Sequence, residues 1–120
     1  MFELDFGGST TTFRFEDLSI MTEMLSGHQV LAICDTNTRP YLPVFVRAPR
    51  ILPPGETHKV WNSVESILGA AVDLGLARDD YMVGIGGGVV CDMTAFAASI
   101  YMRGCRLVLA PTTLLSMIDA

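Results

Sequence analysis

Histidine is scarce in this 120-residue chain: His28 and His58 are the only two, and His58 stands beside Glu56 and Lys59 with no second imidazole near it. That is too few for a histidine metal centre, and no metal-ligating residue is assigned. Cysteine is scarce as well. Cys34, Cys91 and Cys105 are three in number and widely spaced, which excludes a disulfide framework and a Cys-x-x-Cys metal site. Basic charge falls short of acidic charge, 8 Lys and Arg against 13 Asp and Glu, for a net charge of −5. Such a balance argues against nucleic acid or an anionic membrane as main partner. The opening "MFELDFGGSTTTFRF" has neither a basic start nor an apolar leader, so a reducing cytoplasm is the expected location. Only one hydrophobic run, 81–102, is long enough to invite a membrane reading. Asp92 interrupts it at its midpoint, where a carboxylate costs roughly 3 kcal/mol in a bilayer, and its glycines gather at one end.

What is abundant is apolar surface, 50% of residues, in a chain of single-domain length. Parallel strands buried on both faces account for that fraction. "FELDF" and "TTTFRF" alternate around Gly7 and Gly8 and predict an N-terminal hairpin. "DLSIMTEMLSG" has helical spacing and a glycine stop at Gly27. "QVLAICDTN" predicts a buried strand, "LPVFVRA" (42–48) a second, and Pro53-Pro54-Gly55 the loop after it. Residues 58–74 predict a helix with Val60, Val64, Ile67, Leu68 and Ala71 on its buried face. "YMVGIGG", "VVCDMTAFAASIYM", "RLVLAPT" and "TLLSMIDA" then read as strand, helix, strand and the start of a last helix. The expected fold class is α/β: a Rossmann-like, mainly parallel sheet flanked by helices, with an N-terminal β-hairpin.

Ligands of such sheets bind at the carboxyl ends of the strands, and this chain keeps its unusual residues there. Asp35-Thr36-Asn37 follows "VLAIC", the glycines 84–88 accompany "MVGI", and Pro111-Thr112-Thr113 follows "LVLA". A carboxylate accepts ribose hydroxyls, and glycines before a helix let backbone N–H groups and the helix dipole reach a phosphate. Each feature has a plainer reading beside that one. Asp35 can cap its own turn; Val89 stands where G-x-G-x-x-G places its last glycine; Asp92 offsets the helix dipole with or without a ligand. Thr112 and Thr113 suit N-caps, and His28 suits the surface. The residues alone support a nucleotide-binding α/β domain.

Three segments, "PPGETHK" (53–59), "GIGGGVVCDMTAFAASIYMRG" (84–104) and "APTTLLSMIDA" (110–120), resemble the 3-dehydroquinate synthase family in order and spacing. The resemblance runs from "LAICDTN" to residue 120; Cys91 and Ala95 depart from it, standing where the family usually has glycines. It implies an NAD- and metal-dependent lyase of the shikimate pathway. Such an enzyme converts 3-deoxy-D-arabino-heptulosonate 7-phosphate to 3-dehydroquinate and phosphate, with a zinc or cobalt ion. By the same resemblance Asp35 and Asn37 hold the adenosine ribose, and Glu56 and Lys59 contact the cofactor. Gly87, Gly88 and Val89 present N–H groups to the pyrophosphate, with Asp92 near the nicotinamide half. Thr112, Thr113, Leu115 and Ser116 line the nicotinamide side, and Asp119 faces the substrate as the catalytic residue. The family's metal ligands, one glutamate and two histidines, lie in a helical second domain. Residues 1–120 are therefore expected to be the N-terminal NAD-binding domain alone, and the apolar Leu114, Leu115, Met117 and Ile118 near its end predict self-association as a homodimer. A non-catalytic nucleotide-binding module, or the cofactor domain of a related sugar-phosphate cyclase or glycerol dehydrogenase-like enzyme, is the alternative.

The chain by itself is expected to bind no stoichiometric zinc and to release no phosphate from the sugar-acid phosphate. Elemental analysis of tag-free protein and a phosphate-release assay check both, and a full equivalent of metal contradicts the assignment.

Overall fold

The computed structural model describes residues 2–5, 10–13, 25–42, 46 and 48–112. Strands β1 (Phe2–Asp5) and β2 (Thr10–Phe13) pair antiparallel with Phe2 opposite Phe13, forming the hairpin expected around Gly7 and Gly8. The expected helix over "DLSIMTEM" and the last helix over 113–120 lie outside the described residues.

The centre of the molecule is a four-stranded, wholly parallel sheet in the order β4-β3-β5-β6, built from β3 (Val30–Asp35), β4 (Arg50–Leu52), β5 (Tyr81–Gly86) and β6 (Arg106–Pro111). From β3 the chain places β4 on one side, then crosses to place β5 on the other. The connection reverses direction between β3 and β5, the switch point at which doubly wound sheets open a crevice. The two inner strands read as continuous apolar runs because both faces are covered. Leu31, Ile33, Leu52 and Met82 pack under helices α1 (Trp61–Leu74) and α2 (Gly88–Ile100). Val83 and Ile85 point the other way, into a cluster with Leu25, Leu42, Val108 and Ala110.

Helix α1 buries Val64, Ile67 and Ala71 at three- and four-residue spacing. Gly75 ends it in the left-handed conformation (φ 69°), where its N–H bonds Val72 O and the Leu76 N–H bonds Ala71 O. Tyr101, just past α2, donates its hydroxyl to Leu76 O at 2.7 Å and ties the two helices together.

Three expectations need correction. The second strand is β4 at Arg50–Leu52, not 42–48; of that segment the described Leu42, Val46 and Ala48 are outside any strand, and the rest lies outside the described residues. The ladder decides this, since Ile33 pairs with Arg50 and Asp35 with Leu52, immediately before Pro53, which has no N–H to extend the strand. Helix α1 begins at Trp61 rather than at 58, because Glu56–His58 form a 3-10 turn and the Ser63 hydroxyl donates to His58 O at 2.7 Å. Val60 thus sits at the N-cap, exposed, and not on the buried face. His28 is half-buried rather than at the surface, its ring edge-on to Tyr81 at 5.2 Å with Nδ1 3.9 Å from Asp80 Oδ1.

Two strand glycines are required by packing. A Cβ on Gly84 would lie 2.8 Å from Thr94 Oγ1 and 3.1 Å from Leu109 Cδ2, and one on Gly86 would lie 2.8 Å from Val90 Cβ. Gly84→Ala is therefore expected to destabilise the fold by about 1–3 kcal/mol, the usual cost of overpacking. Gly88→Ala, with no atom of the described residues within 4 Å of the added carbon, should not destabilise it. Urea unfolding of the two variants measures the contrast.

Candidate functional site

Strands β3 and β5 pair from Val30–Tyr81 as far as Ile33–Gly84, and beyond that point β3 continues its ladder only with β4. Strand β5 meanwhile stays with β6 up to Gly86–Pro111. The carboxyl ends of β3 and β5 thus part, and the turns after the two strands line the opening.

On the β3 side, Asp35 Oδ1 accepts the backbone N–H of Asn37 and of Thr38, each at 2.9 Å. Asp35 is therefore a turn cap, in line with its plainer reading, and its carboxylate is fixed at the mouth of the crevice. Asn37 is exposed beside it. Thr38 is a site residue that sequence reasoning misses. Its hydroxyl oxygen accepts the Asp35 N–H at 3.1 Å, and its single proton is shared between Ile85 O at 2.7 Å and Asp35 Oδ1 at 3.1 Å. The one signal for it is D-x-x-T, the spacing at which a carboxylate and a hydroxyl close one turn.

On the β5 side the chain turns from strand to helix without a loop. Gly86 ends β5, Gly87 is the N-cap with extended backbone (φ −81°, ψ −163°), and Gly88 is the first residue of α2. Among the described residues neither a positive φ nor a crowded neighbour demands glycine at 88, where none of their atoms lies within 4 Å of the position a Cβ would take. The first N–H groups of α2 lack partners within the helix and point out of its start, with the positive end of its dipole. Val89 is half-buried against the core. This explains its departure from G-x-G-x-x-G: close strand–helix packing, the role of that motif's last glycine, falls here to Gly84 and Gly86. Thr112, exposed at the end of β6, donates its N–H to Gly86 O at 2.8 Å and holds the third strand end against the turn.

Charge closes the site on the outer side. Lys59 Nζ lies 2.6 Å from Asp92 Oδ2 and 3.7 Å from Glu56 Oε1, which brings the loop after β4 onto α2 one turn beyond Gly88. The Asp92 hydrogen bond and charge, with a lesser contribution from Glu56, raise the Lys59 pKa, so its charge is secure. The structure thus gathers Glu56, Lys59 and Asp92 into one cluster and sets Asp35, Gly87, Gly88 and Thr112 at neighbouring strand ends. Thr113, Leu115, Ser116 and Asp119 lie outside the described residues.

Residues 50–120 match the family model described as 3-dehydroquinate synthase N-terminal. The chain belongs to the 3-dehydroquinate synthase family. It is 49% identical over 69 residues to the 3-dehydroquinate synthase of Bordetella pertussis, an alignment covering 58% of this chain and 19% of that protein. With the 3-dehydroquinate synthase of Acidithiobacillus ferrooxidans it shares 35% identity over 121 aligned positions, 92% of this chain and 33% of the relative. The chain thus spans a third or less of the length of these relatives. Among solved structures, 2-epi-5-epi-valiolone synthase from Streptomyces hygroscopicus, with NAD+ and Zn2+ bound, superposes with a TM-score of 0.72 at 29% identity. That match covers 82% of this chain and 30% of the other.

Cys91, the first departure from the family pattern, is buried with its thiol donating to Gly86 O at 3.6 Å. Burial, with the charge of Asp92 adding, pushes its pKa up to about 11, so it remains a thiol at pH 8. A brief pulse of thiol reagent at pH 8 should label Cys105, the one partly exposed cysteine, before Cys34 and Cys91. Mass spectrometry of labelled peptides reads the order, and denaturant should bring all three to equal labelling.

Proposed function

We propose that this chain is the NAD-binding N-terminal domain of a 3-dehydroquinate synthase, acting with a helical second domain of the full-length enzyme. The reaction is conversion of 3-deoxy-D-arabino-heptulosonate 7-phosphate to 3-dehydroquinate and phosphate, a carbon–oxygen lyase step. The observation that carries the reading is the turn at Gly86–Gly88. It has a glycine at 88 that no described neighbour and no positive φ requires, the unpaired first N–H groups of a helix, and a position at the switch point of a parallel sheet.

In this reading Gly87, Gly88 and Val89 offer N–H groups to the pyrophosphate, and Asp35 and Asn37 take the adenosine ribose. Glu56, Lys59 and Asp92 close over the cofactor from the outer side. Thr112, Thr113, Leu115 and Ser116 line the nicotinamide end, and Asp119 faces substrate. Bound there, NAD supplies hydride acceptance from the substrate carbinol and its later return. The NAD+ in the structure of 2-epi-5-epi-valiolone synthase supports the cofactor, and the relatives' name supports the dehydroquinate branch of the chemistry. A metal does not fit the described residues, among which no group of three or more His, Cys, Asp or Glu could hold one. The zinc or cobalt ligands belong, in this proposal, to the second domain. The same reading makes the protein a cytoplasmic homodimer without nucleic-acid or membrane partners; no described helix is long and apolar enough to cross a membrane.

Calorimetric titration tests the proposal. The folded chain should bind NAD weakly, at roughly millimolar cofactor, and Gly88→Val should weaken binding by more than about tenfold, or about 1.4 kcal/mol, with the fold unchanged. A folded wild-type chain without affinity for NAD, or a Gly88→Val variant that binds normally, overturns it.

A further inference from the structure

We propose that Thr38 is the positioning residue that makes Asp35 a selector for a cofactor ribose without a 2′-phosphate. The inference rests on the dinucleotide reading above and adds a residue and a selectivity to it. Thr38 is buried at 6% exposure, although it lies in a turn between exposed Asn37 and exposed Arg39. Its hydroxyl reaches across the switch point to Ile85 O, the carbonyl just past the last β3–β5 pair, Ile33–Gly84. This bond ties the end of the Asp35–Thr38 turn to the end of β5, whose next residues form the glycine turn.

The consequence falls on a carboxylate. Asp35 Oδ1 is fixed by the N–H groups of Asn37 and Thr38 and lies 3.1 Å from the Thr38 hydroxyl, so the turn and the carboxylate move together. A carboxylate held at this strand end accepts the hydroxyls of an unmodified ribose and repels a 2′-phosphate by charge. With the hydroxyl removed, Ile85 O loses this partner and the turn loses its tie to β5; the carboxylate, still capped by the Asn37 and Thr38 N–H groups, shifts with the turn relative to the ribose.

The experiment compares Thr38→Val, which keeps the shape and loses the hydroxyl, with Thr38→Ser, which keeps the hydroxyl. Each is titrated with NAD and with NADP and checked by thermal melting, alone and combined with Asp35→Ala. Thr38→Val should weaken NAD by about tenfold, the order expected for one buried hydrogen bond, and leave NADP nearly unchanged, so the NAD/NADP ratio falls. Thr38→Ser should bind within about threefold of wild type, and Thr38→Val should add nothing in the Asp35→Ala background, because both act through one carboxylate. If Thr38→Val does not fold, Thr38→Cys, with its weak S–H donor, should give a smaller fall of the same ratio. Equal weakening of NAD and NADP, additive losses in the double variant, or a Thr38→Ser as impaired as Thr38→Val overturns the assignment. Asp35→Ala weakening NAD while Thr38→Val does not would sink this inference and leave the dinucleotide site standing. Asp35→Ala with unchanged affinity would instead remove the ribose role of Asp35 and this inference with it.

Discussion

Helix α2 lies so close to strand β5 that two positions of the strand have no room for a side chain. Thr94 and Val90 occupy the space that a Cβ on Gly84 or Gly86 would need. Met82, Gly84 and Gly86 share one face of the strand by its two-residue period, so the helix settles progressively toward the strand end. There it starts directly from Gly87 and Gly88, with no intervening loop. The contact brings the helix N-terminus and its unpaired N–H groups to the carboxyl edge of the sheet. It also determines where Asp92, one turn later, meets Lys59.

The four glycines of 84–88 therefore differ in their physical reasons. Gly84 and Gly86 are required by the packing of side chains above them, and substitution there costs stability. At Gly88 no atom of the described residues lies within 4 Å of where a Cβ would stand, so packing among them does not require glycine there. A motif written as a string of glycines hides this difference, because a missing Cβ under a helix and a missing Cβ facing solvent look alike in sequence. Val89 becomes intelligible on the same ground, since helix–strand packing is secured two and four residues before the helix begins.

On the other side of the crevice the constraint is polar. Strand β3 leaves β5 after Ile33, which would orphan the Ile85 carbonyl in a buried place, and the Thr38 hydroxyl takes it up. Buried backbone acceptors rarely go unpaired, so the opening of the sheet and the burial of a threonine in a surface turn are one event. The carboxylate of Asp35 is held by the same turn. The crevice thus has a packed helix on one wall and a hydrogen-bonded turn on the other. The ion pair of Lys59 with Asp92 joins partly exposed side chains and adds little to stability.

Local pattern determined most of the architecture: the hairpin, strands β3, β5 and β6, both helices and the residues at the strand ends follow from period, turn residues and continuous apolar runs. It misplaced β4, because "LPVFV" is the more apolar run, whereas an edge strand of three residues is selected by pairing with Cys34 and its neighbours and needs little hydrophobicity of its own. It started α1 three residues early, because Val60 has the right spacing and only the 3-10 turn of 56–58 and the Ser63 hydroxyl bond show that the helix cannot yet have begun. Thr38 was invisible as a site residue, since its partner Ile85 is 47 positions away. Periodicity and turn chemistry act over a few residues and are written in the chain. Which carbonyl a strand leaves unpaired, and which glycine faces a helix and which faces open space, depend on segments far apart in sequence, and only the folded sheet decides them.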